Sequence, residues 1–217
     1  MQYEQWLTER KSGIGGSEAA IIMGKSPYMT NAELWEIKTG QRMREDISDK
    51  ERVIYGKECE QYLIKIFELD YPEYEVTHVD YDLQRSNDYP FLFASNDAYL
   101  KEKSTNRLGF LETKTGLIKC KADWEHWNNQ IPIYYAYQML HYFMVRPDFD
   151  FGICKAQLTV IPEADEETNF KNIFHSTRHY YYERADQLDA IEELRAHEIH
   201  FWTEHVLKNK RPPLILM

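Results

Sequence analysis

The sequence predicts an α/β or α+β domain built around a β-sheet. Helical patterns fill residues 3–69, and segments of alternating or β-branched and aromatic side chains follow them. A helix, a strand and a long helix then end the chain, an order typical of a sheet covered by helices. No internal repeat and no linker rich in proline and glycine divides the chain, so we predict one domain at 1–217.

Four helices are predicted in the first third of the chain. They cover Tyr3–Arg10, Ser17–Met23, Asn31–Thr39 and Lys57–Leu69. Ser17 suits the N-cap of the second helix, after a glycine-rich turn, and Gly40 suits the end of the third. The fourth helix is amphipathic, and one face carries Tyr62, Leu63, Ile66 and Phe67. The polar stretch 41–52 is predicted to be a loop between helices.

Five strands and two helical regions are predicted in the rest of the chain. The strands cover Tyr74–Tyr81, Phe91–Ala94, Leu108–Lys114, Phe151–Val160 and Arg178–Glu183. An aromatic helical region at Ala122–Val145 lies between the third and fourth strands, and Pro132 is expected to break or start a helix there. A long helix is predicted at Arg184–Asn209.

Composition excludes several classes of protein. The formal net charge is −10 and the isoelectric point is near 5.3, which argues against a protein that coats nucleic acid through bulk positive charge. A DNA enzyme that uses metal ions and a few local cations stays compatible with this charge. The 3 cysteines lie far apart and form no CxxC pair, so a zinc ribbon or a four-cysteine iron–sulfur site is excluded within one chain.

Cellular location is also constrained by the sequence. Sparse, unpaired cysteines are typical of reduced thiols in the cytosol. The N-terminus lacks the basic and then apolar pattern of a signal peptide, and no apolar run approaches the ~20 residues that a membrane span requires. We therefore expect a soluble, cytoplasmic protein with no membrane contact.

Two carboxylates and a lysine form the pattern most suggestive of chemistry. Glu112 and Lys114 point to the same face of a strand because side chains alternate along it. Asp97 follows the preceding predicted strand, and the segment 100–109 is polar and turn-like. The two strands are therefore expected to pair as a hairpin that brings Asp97 beside Glu112.

This arrangement suits a divalent cation. Two carboxylates a few ångströms apart cannot both ionise cheaply without one, and hard oxygen ligands favour magnesium or manganese. A neighbouring lysine can orient a hydroxide nucleophile, as metal-assisted hydrolysis of a phosphodiester requires. The same residues also fit a solvent-facing stripe of salt bridges, and the pattern by itself leaves both interpretations open.

An ordered set of motifs lies between residues 6 and 160. It comprises Arg10, Gly13-Ile14-Gly15-Gly16-Ser17-Glu18-Ala19-Ala20, Ser26-Pro27-Tyr28, Leu34-Trp35, Gly56 with Glu60, Ser95-Asn96-Asp97, Glu112-Thr113-Lys114, and Tyr134 with Gln138. This set resembles the YqaJ-type viral recombinase family, which includes phage lambda exonuclease. The resemblance implies a restriction-endonuclease-like PD-(D/E)xK core, with a central mixed β-sheet flanked by helices. It also implies that 1–217 is a single nuclease domain, encoded by a phage or prophage and active in the cytoplasm of a bacterial host.

The resemblance implies roles for individual residues. The metal ligands would be Asp97, Glu112, Glu60 and the backbone carbonyl of Thr113, which together hold two Mg²⁺ ions that Mn²⁺ can replace. Lys114 matches the catalytic lysine, and Gln138 matches a glutamine near the active site that positions water or phosphate. Glu60 also fits an exposed helix charge, an alternative that the sequence leaves open.

Further residues are predicted to contact DNA. Arg10 and Ser17 match the basic and hydroxyl residues with which the family holds a terminal 5′-phosphate, and a guanidinium fork suits phosphate oxygens. Ser95 is the predicted further hydroxyl contact because it lies two residues before Asp97. Lys119 and Lys121 follow the strand of Lys114 closely and are predicted to contact the DNA backbone.

The function implied by the resemblance is that of a metal-dependent deoxyribonuclease. More specifically, the resemblance implies a 5′→3′ double-strand exonuclease that releases nucleotides and leaves 3′ overhangs for phage-type recombination. The partners implied are duplex DNA ends, a single-strand annealing protein and further copies of the chain, since the best-known relative is a ring-shaped trimer. Two alternatives stay open: an endonuclease or other nuclease of the same fold, and a non-catalytic DNA-binding protein with a degenerate site.

Overall fold

The computed structural model describes residues 2–160 and 174–215. The helices are α1 (Tyr3–Lys11), α2 (Gly16–Ile22), α3 (Asn31–Lys38), α4 (Glu51–Asp70), α5 (Lys121–Glu125), α6 (Ile133–Val145) and α7 (Leu188–His200). The strands are β1 (Ile14–Gly15), β2 (Tyr74–Thr77), β3 (Gln84–Arg85), β4 (Leu92–Ala94), β5 (Ala98–Glu102), β6 (Leu108–Ile118), β7 (Phe151–Val160) and β8 (Phe174–Glu183). Within these ranges, no helix is both long enough and apolar enough to cross a bilayer.

A five-stranded mixed sheet forms the centre of the molecule. Its strand order is β2-β5-β6-β7-β8, in which β6 and β7 run parallel and the other neighbours are antiparallel. Helix α6 packs on one face, where Phe110 of β6 meets Tyr142 and Phe143 edge to face. Helix α4 covers the other face through Phe67 and its neighbours. The predicted mixed sheet between helices is therefore confirmed.

A second, three-stranded sheet lies beside the first, and the sequence patterns do not predict it. Its order is β1-β4-β3, with β1 parallel to β4 and β3 antiparallel to it. A Cβ atom on Gly15 of β1 would lie 2.6 Å from the Phe93 ring of β4, so only glycine permits this approach. The pairing sets the turn before α2 beside the segment that leads from β4 to Asp97.

The strand boundaries require one correction that concerns the predicted hairpin. The predicted strand Phe91–Ala94 is β4, which belongs to the small sheet rather than pairing with β6. The antiparallel partner of β6 is β5, a separate strand that starts at Ala98 and was not predicted. The chain crosses from one sheet to the other at 95–97, and Asp97 therefore precedes a strand instead of ending one.

Only two of the four residues predicted to form the apolar face of α4 are buried. Leu63 and Phe67 are buried against the sheet, but Tyr62 is 62% exposed and Ile66 is 46% exposed. Adjacent residues of a helix differ by about 100° around its axis, so the rows 62/66 and 63/67 point in different directions. The sheet covers only the second row, and α4 also begins at Glu51, six residues earlier than Lys57.

Other predicted elements differ mainly at their ends. The helical region Ala122–Val145 is two helices, α5 and α6, and Pro132 is the N-cap residue of α6, as the predicted break or start required. The strand predicted at Tyr74–Tyr81 ends at Thr77 because a turn follows. The long helix predicted at Arg184–Asn209 is divided into a 3₁₀ turn at Arg184–Gln187, α7, and a π-helical segment at Phe201–Val206.

A fully buried ion pair joins α6, α7 and β4. The Nδ1 atom of His141 lies 2.9 Å from the Glu198 carboxylate, and its Nε2 atom lies 2.9 Å from the Phe93 carbonyl oxygen. Both ring nitrogens face oxygen atoms, an arrangement that favours the doubly protonated imidazolium beside an ionised Glu198. Burial lowers the pKa of His141, but the Glu198 carboxylate and the Phe93 carbonyl outweigh it and raise the pKa above its usual value.

We predict that Glu198→Ala lowers the free energy of unfolding by about 3 kcal/mol, because it leaves the buried imidazolium without its counter-charge. Urea denaturation followed by circular dichroism measures this change. Glu193→Ala, at an exposed position of the same helix, should change the free energy of unfolding by less than about 0.5 kcal/mol. Equal effects of the two substitutions would contradict a structural role for the ion pair.

Candidate active site

The β5–β6 hairpin brings Asp97 to the middle of β6. Ala98 pairs with Leu111, so Asp97 lies opposite Glu112, one step beyond the last paired residues. The Asp97 carboxylate accepts hydrogen bonds from the backbone N–H of Thr113 at 2.6 Å and from its hydroxyl at 2.7 Å. The expected proximity of Asp97 and Glu112 is thus confirmed, although the hairpin that produces it is not the predicted one.

Asp97, Glu112, Glu60 and Lys114 form the cluster at this point of the sheet. Glu112 is its most buried carboxylate, with only 3% of its surface exposed. Its Oε1 atom accepts hydrogen bonds from Lys114 Nζ and from Gln138 Nε2, the latter at 2.6 Å. Its Oε2 atom is buried and has no hydrogen-bond partner in the described part of the chain. Burial and the nearby Asp97 charge raise the pKa of Glu112 to about 8.

Glu60 approaches the same cluster from α4. It is half-buried, and burial together with the charge of Asp97 raises its pKa to about 7. Glu60 is therefore not a fully exposed helix charge, and its role as a metal ligand stays a prediction. A carboxyl that lies close to another acid and away from water is stabilised when a cation binds or a proton is taken up.

Lys114 lies on the same face of β6 as Glu112, as the alternation of side chains predicts. Its ammonium group bonds to Glu112 and lies 4.8 Å from the centre of the Tyr135 ring. Burial lowers the pKa of Lys114, but the Glu112 and Asp97 carboxylates more than offset this and raise it well above the usual value. The lysine is consequently held as a cation beside the two acids.

The oxygen atoms of this cluster fit a divalent metal ion. Glu112 Oε2 is a buried oxygen without a hydrogen-bond partner in the described residues, so its lone pairs are available to a metal ion. Thr113 lies beyond the last residue of β6 that pairs with β5, so no strand of the described chain occupies its backbone on the Asp97 side. The carbonyl of an extended residue faces the same side as its N–H, so the Thr113 carbonyl also faces Asp97. No three His, Cys, Asp or Glu side chains in 2–160 and 174–215 gather into a full ligand set. Magnesium commonly binds one or two carboxylates and completes its shell with water and substrate phosphate.

Gln138 and Tyr142 connect the cluster to the small sheet. Gln138 Nε2 donates to Glu112 and, at 2.7 Å, to the Tyr142 hydroxyl, which in turn donates to the Ser95 carbonyl oxygen at 2.9 Å. The two side chains lie one helical turn apart on α6, at the i and i+4 spacing that places residues on one face. Sequence reasoning identified Gln138 but missed Tyr142, although this spacing was visible.

Arg10 and Ser17 lie together beside this network. Arg10 stacks over the Trp6 ring at 4.3 Å, and its guanidinium lies 3.5 Å from the Ser17 hydroxyl. Ser17 is not the predicted N-cap, because α2 starts at Gly16 and Gly15 occupies the cap position. A Cβ atom on Gly16 would lie 2.7 Å from the Tyr142 ring, so the glycine lets this turn approach α6 closely.

The family model of the YqaJ-like viral recombinase domain matches residues 5–148, a range that includes every residue of this cluster. The chain belongs to this family. The uncharacterized protein YqaJ of Bacillus subtilis (strain 168) is 30% identical over 215 residues. The match covers 99% of this chain and 60% of that protein, so the chain spans about three fifths of the length of this relative.

Solved structures share the fold of this YqaJ-like domain. An alkaline exonuclease from Laribacter hongkongensis gives a TM-score of 0.56 at 18% identity, with 95% of this chain and 97% of that chain covered. The same enzyme has been solved in complex with dAMP. A phage-related exonuclease from Haemophilus somnus 129PT gives a TM-score of 0.55 at 13% identity, with 91% and 96% covered. The YqaJ-like domain thus has the predicted PD-(D/E)xK-like fold.

Two predicted DNA contacts lie apart from the cluster in the YqaJ-like domain. Lys119 and Lys121 are exposed where β6 ends and α5 begins. Along an extended strand, Lys119 lies roughly 17 Å from Lys114. Their contact with a DNA backbone stays a prediction. The contact of the Ser95 hydroxyl with DNA also stays a prediction, since the hydrogen bond from Tyr142 involves the Ser95 carbonyl instead.

His78 is a residue near the cluster that sequence reasoning missed. Its Nδ1 atom lies 2.5 Å from the Asp97 carbonyl oxygen, and its Nε2 atom lies 3.0 Å from an Asp80 carboxylate oxygen. The hydrogen bond to Asp97 holds its backbone in place from the segment that follows β2. No spacing in the sequence signals it, because the contact joins residues from different parts of the sheet.

We predict that Mn²⁺ binding to this cluster releases about one proton per protein at pH 7, because a nearby cation favours the ionised forms of Glu60 and Glu112, whose raised pKa values leave both partly protonated at that pH. Their raised pKa values, about 7 and about 8, also predict that affinity for the metal increases between pH 6 and pH 8. Calorimetric titrations in two buffers of different ionisation enthalpy measure the protons released. Identical heats in both buffers would contradict the prediction, and Glu112→Gln should release fewer protons.

Proposed function

We propose that this protein is a Mg²⁺-dependent deoxyribonuclease that degrades duplex DNA from its 5′ ends. It hydrolyses phosphodiester bonds, releases nucleotides and leaves 3′ overhangs for homologous recombination. The observation that carries the proposal is the buried Glu112, which is bonded by Lys114 and Gln138 through one oxygen and has its second oxygen free. Membership of the YqaJ-like viral recombinase domain family and the fold shared with alkaline exonucleases support it.

The metal would be held by Asp97, Glu112 and the Thr113 carbonyl, with Glu60 on the α4 side. A bound divalent ion would polarise the scissile phosphate and favour an ionised attacking water. The residues of the chain then have separate tasks. Gln138 fixes the Glu112 carboxylate through its amide, and His78 holds the Asp97 backbone.

Lys114 would act on the nucleophile and the phosphate. Its cationic group lies among carboxylates and under an aromatic ring, away from bulk water. An ammonium in that position can orient the attacking water and stabilise the negative charge that develops on the phosphate oxygens. Its neighbouring acids keep it protonated, so it contributes through charge and hydrogen bonding rather than as the proton acceptor.

Polarity would come from Arg10 and Ser17. A terminal phosphate carries more negative charge than a backbone phosphate and offers three oxygens to a guanidinium fork. Ser17 follows Gly16, which packs against Gln138 and Tyr142 of α6, and Arg10 contacts Ser17. An end held there would present the adjoining phosphodiester bonds to the Glu112 cluster, which gives 5′→3′ direction.

The wider assembly forms part of the proposal. The recombination role implies a single-strand annealing protein that receives the 3′ overhang. Copies of the chain would form a closed oligomer, such as a ring trimer, around the duplex in the cytoplasm of a bacterial host. The acidic exterior expected from a net charge of −10 would keep DNA from the outer surface and favour a cation-lined groove.

We predict that Lys114→Ala lowers Mg²⁺-dependent release of nucleotides by at least ~100-fold because it removes a group that acts in the transition state. The assay digests linear 5′-phosphorylated duplex and compares it with a closed circle of the same sequence. Wild-type protein should degrade the linear DNA and leave the circle intact. Cleavage of the circle would instead identify an endonuclease, and Lys101→Ala, at an exposed position of β5, should keep full activity.

We predict that Arg10→Gln removes about tenfold of the preference of the protein for 5′-phosphorylated over 5′-hydroxyl duplex, because a charge-assisted contact with the phosphate is lost. Initial rates on the two substrates measure the preference. Lys11→Gln, at the exposed neighbouring position, serves as the control and should retain it. Equal wild-type rates on both ends would remove the proposed role of Arg10.

A further inference from the structure

A buried carboxylate, Glu18, organises three cations beside Ser17. Glu18 is 3% exposed, and its Oε2 atom bonds to Lys38 Nζ at 2.7 Å and to the Gly15 backbone N–H at 3.2 Å. Its Oε1 atom lies 3.3 Å from Arg44. The third cation is Arg10, whose pKa is lowered by burial and also by repulsion from Arg44, although the charge of Glu18 opposes this.

Lys38 neutralises Glu18 and has no capacity left for a ligand. Its ammonium group is buried, and it also donates to the Gly13 carbonyl at 2.5 Å and lies 3.5 Å from the Arg10 carbonyl. These contacts occupy all three N–H groups that a lysine carries. Glu18 therefore sets one negative charge against the three positive charges of Lys38, Arg44 and Arg10, so these four side chains keep an excess of positive charge.

Arg44 has donors to spare. Its side chain is 46% exposed, and the described structure records one ion pair for it, through a single guanidinium nitrogen. An arginine carries five N–H groups, so most of those on Arg44 are available to another acceptor. Arg10 forms no ion pair with the carboxylates of 2–160 and 174–215, where its contacts are the Ser17 hydroxyl and the Trp6 ring.

The resulting charge matches one kind of phosphate. Two arginines carry two positive charges, whereas a phosphodiester inside a strand carries a single negative charge. A terminal phosphate monoester carries about 1.5 to 2 negative charges at pH 7. An anion of that charge relieves the repulsion between the two arginines more completely than a phosphodiester does.

We propose that Arg44 is a second arginine of the site that binds the terminal 5′-phosphate, held in place by Glu18, and that it lets the site discriminate a phosphate monoester from a phosphodiester. This inference rests on the proposed function, because it assigns the 5′-phosphate to the region of Arg10. The loop 41–50 is then a part of the binding site rather than a simple connection between α3 and α4. Nothing in its sequence distinguishes Arg44 from the other charged residues of the loop.

The same loop contains a matched control. Arg42 lies two residues away, its side chain is 50% exposed, and it pairs with Glu33 at 2.8 Å and with Glu36 at 3.8 Å on α3. Both arginines are therefore half-exposed and paired with glutamate. They differ in that Arg44 binds Glu18 and lies close enough to repel Arg10, whereas Arg42 binds two carboxylates of α3.

The test measures binding of two short duplexes without metal, so that no strand is cut. One carries 5′-phosphates and the other 5′-hydroxyls. Fluorescence anisotropy gives the dissociation constant of the hydroxyl duplex divided by that of the phosphorylated duplex. We expect Arg44→Gln to lower this ratio by about tenfold, chiefly because the phosphorylated duplex binds less tightly. Arg44→Lys should retain part of the preference through its charge, and Arg42→Gln should keep the wild-type ratio.

Each other outcome has a distinct meaning. A wild-type ratio near one would remove the terminal-phosphate site itself and, with it, the proposed origin of polarity. A clear wild-type preference that Arg44→Gln retains in full would overturn only the role of Arg44. Equal weakening of both duplexes would assign Arg44 to the DNA backbone and would also overturn it. Thermal unfolding at the wild-type temperature would establish that the exposed substitution leaves the fold intact.

Discussion

The burial of the Glu112 carboxylate is the constraint around which this molecule is organised. A carboxylate in the interior is unfavourable unless hydrogen bonds and a counter-charge surround it. Lys114 from the same strand and Gln138 from α6 supply these to one oxygen only. The second oxygen stays without a partner, which leaves the acid with a raised pKa and a capacity to bind a cation. Strand β6 and helix α6 must pack in register for this to occur.

Glu18 presents the opposite solution to the same physical problem. Both of its oxygens are engaged, and the cations around it exceed the single negative charge. One buried acid therefore leaves an oxygen for a cation, whereas the other leaves guanidinium groups for an anion. Gly16, packed against Tyr142, keeps the two regions close. A DNA strand whose terminal phosphate is bound while a metal ion assists cleavage of a nearby phosphodiester would require both kinds of site.

The net charge of −10 acquires a different meaning from this arrangement. Overall charge describes solubility and long-range repulsion, whereas binding depends on the local field. Part of the acidity belongs to Asp97, Glu112 and Glu60, which are close enough for their charges to repel one another. Cations that matter locally, such as Arg10 and Arg44, are a small fraction of the 26 lysines and arginines. Composition therefore limits how the chain can bind DNA without deciding whether it does.

The sequence by itself determined the features that depend on neighbouring residues. Side-chain alternation placed Glu112 and Lys114 on one face of a strand, and Pro132 marked the start of α6. Tertiary structure decided whatever joins distant segments: that β5 rather than β4 pairs with β6, that the sheet covers Leu63 and leaves Tyr62 exposed, and that Arg44 meets Glu18. Periodicity reports which residues share a face, but burial depends on which face another element covers. Contacts between residues far apart in the chain leave no periodic trace, so only the packed molecule reveals them.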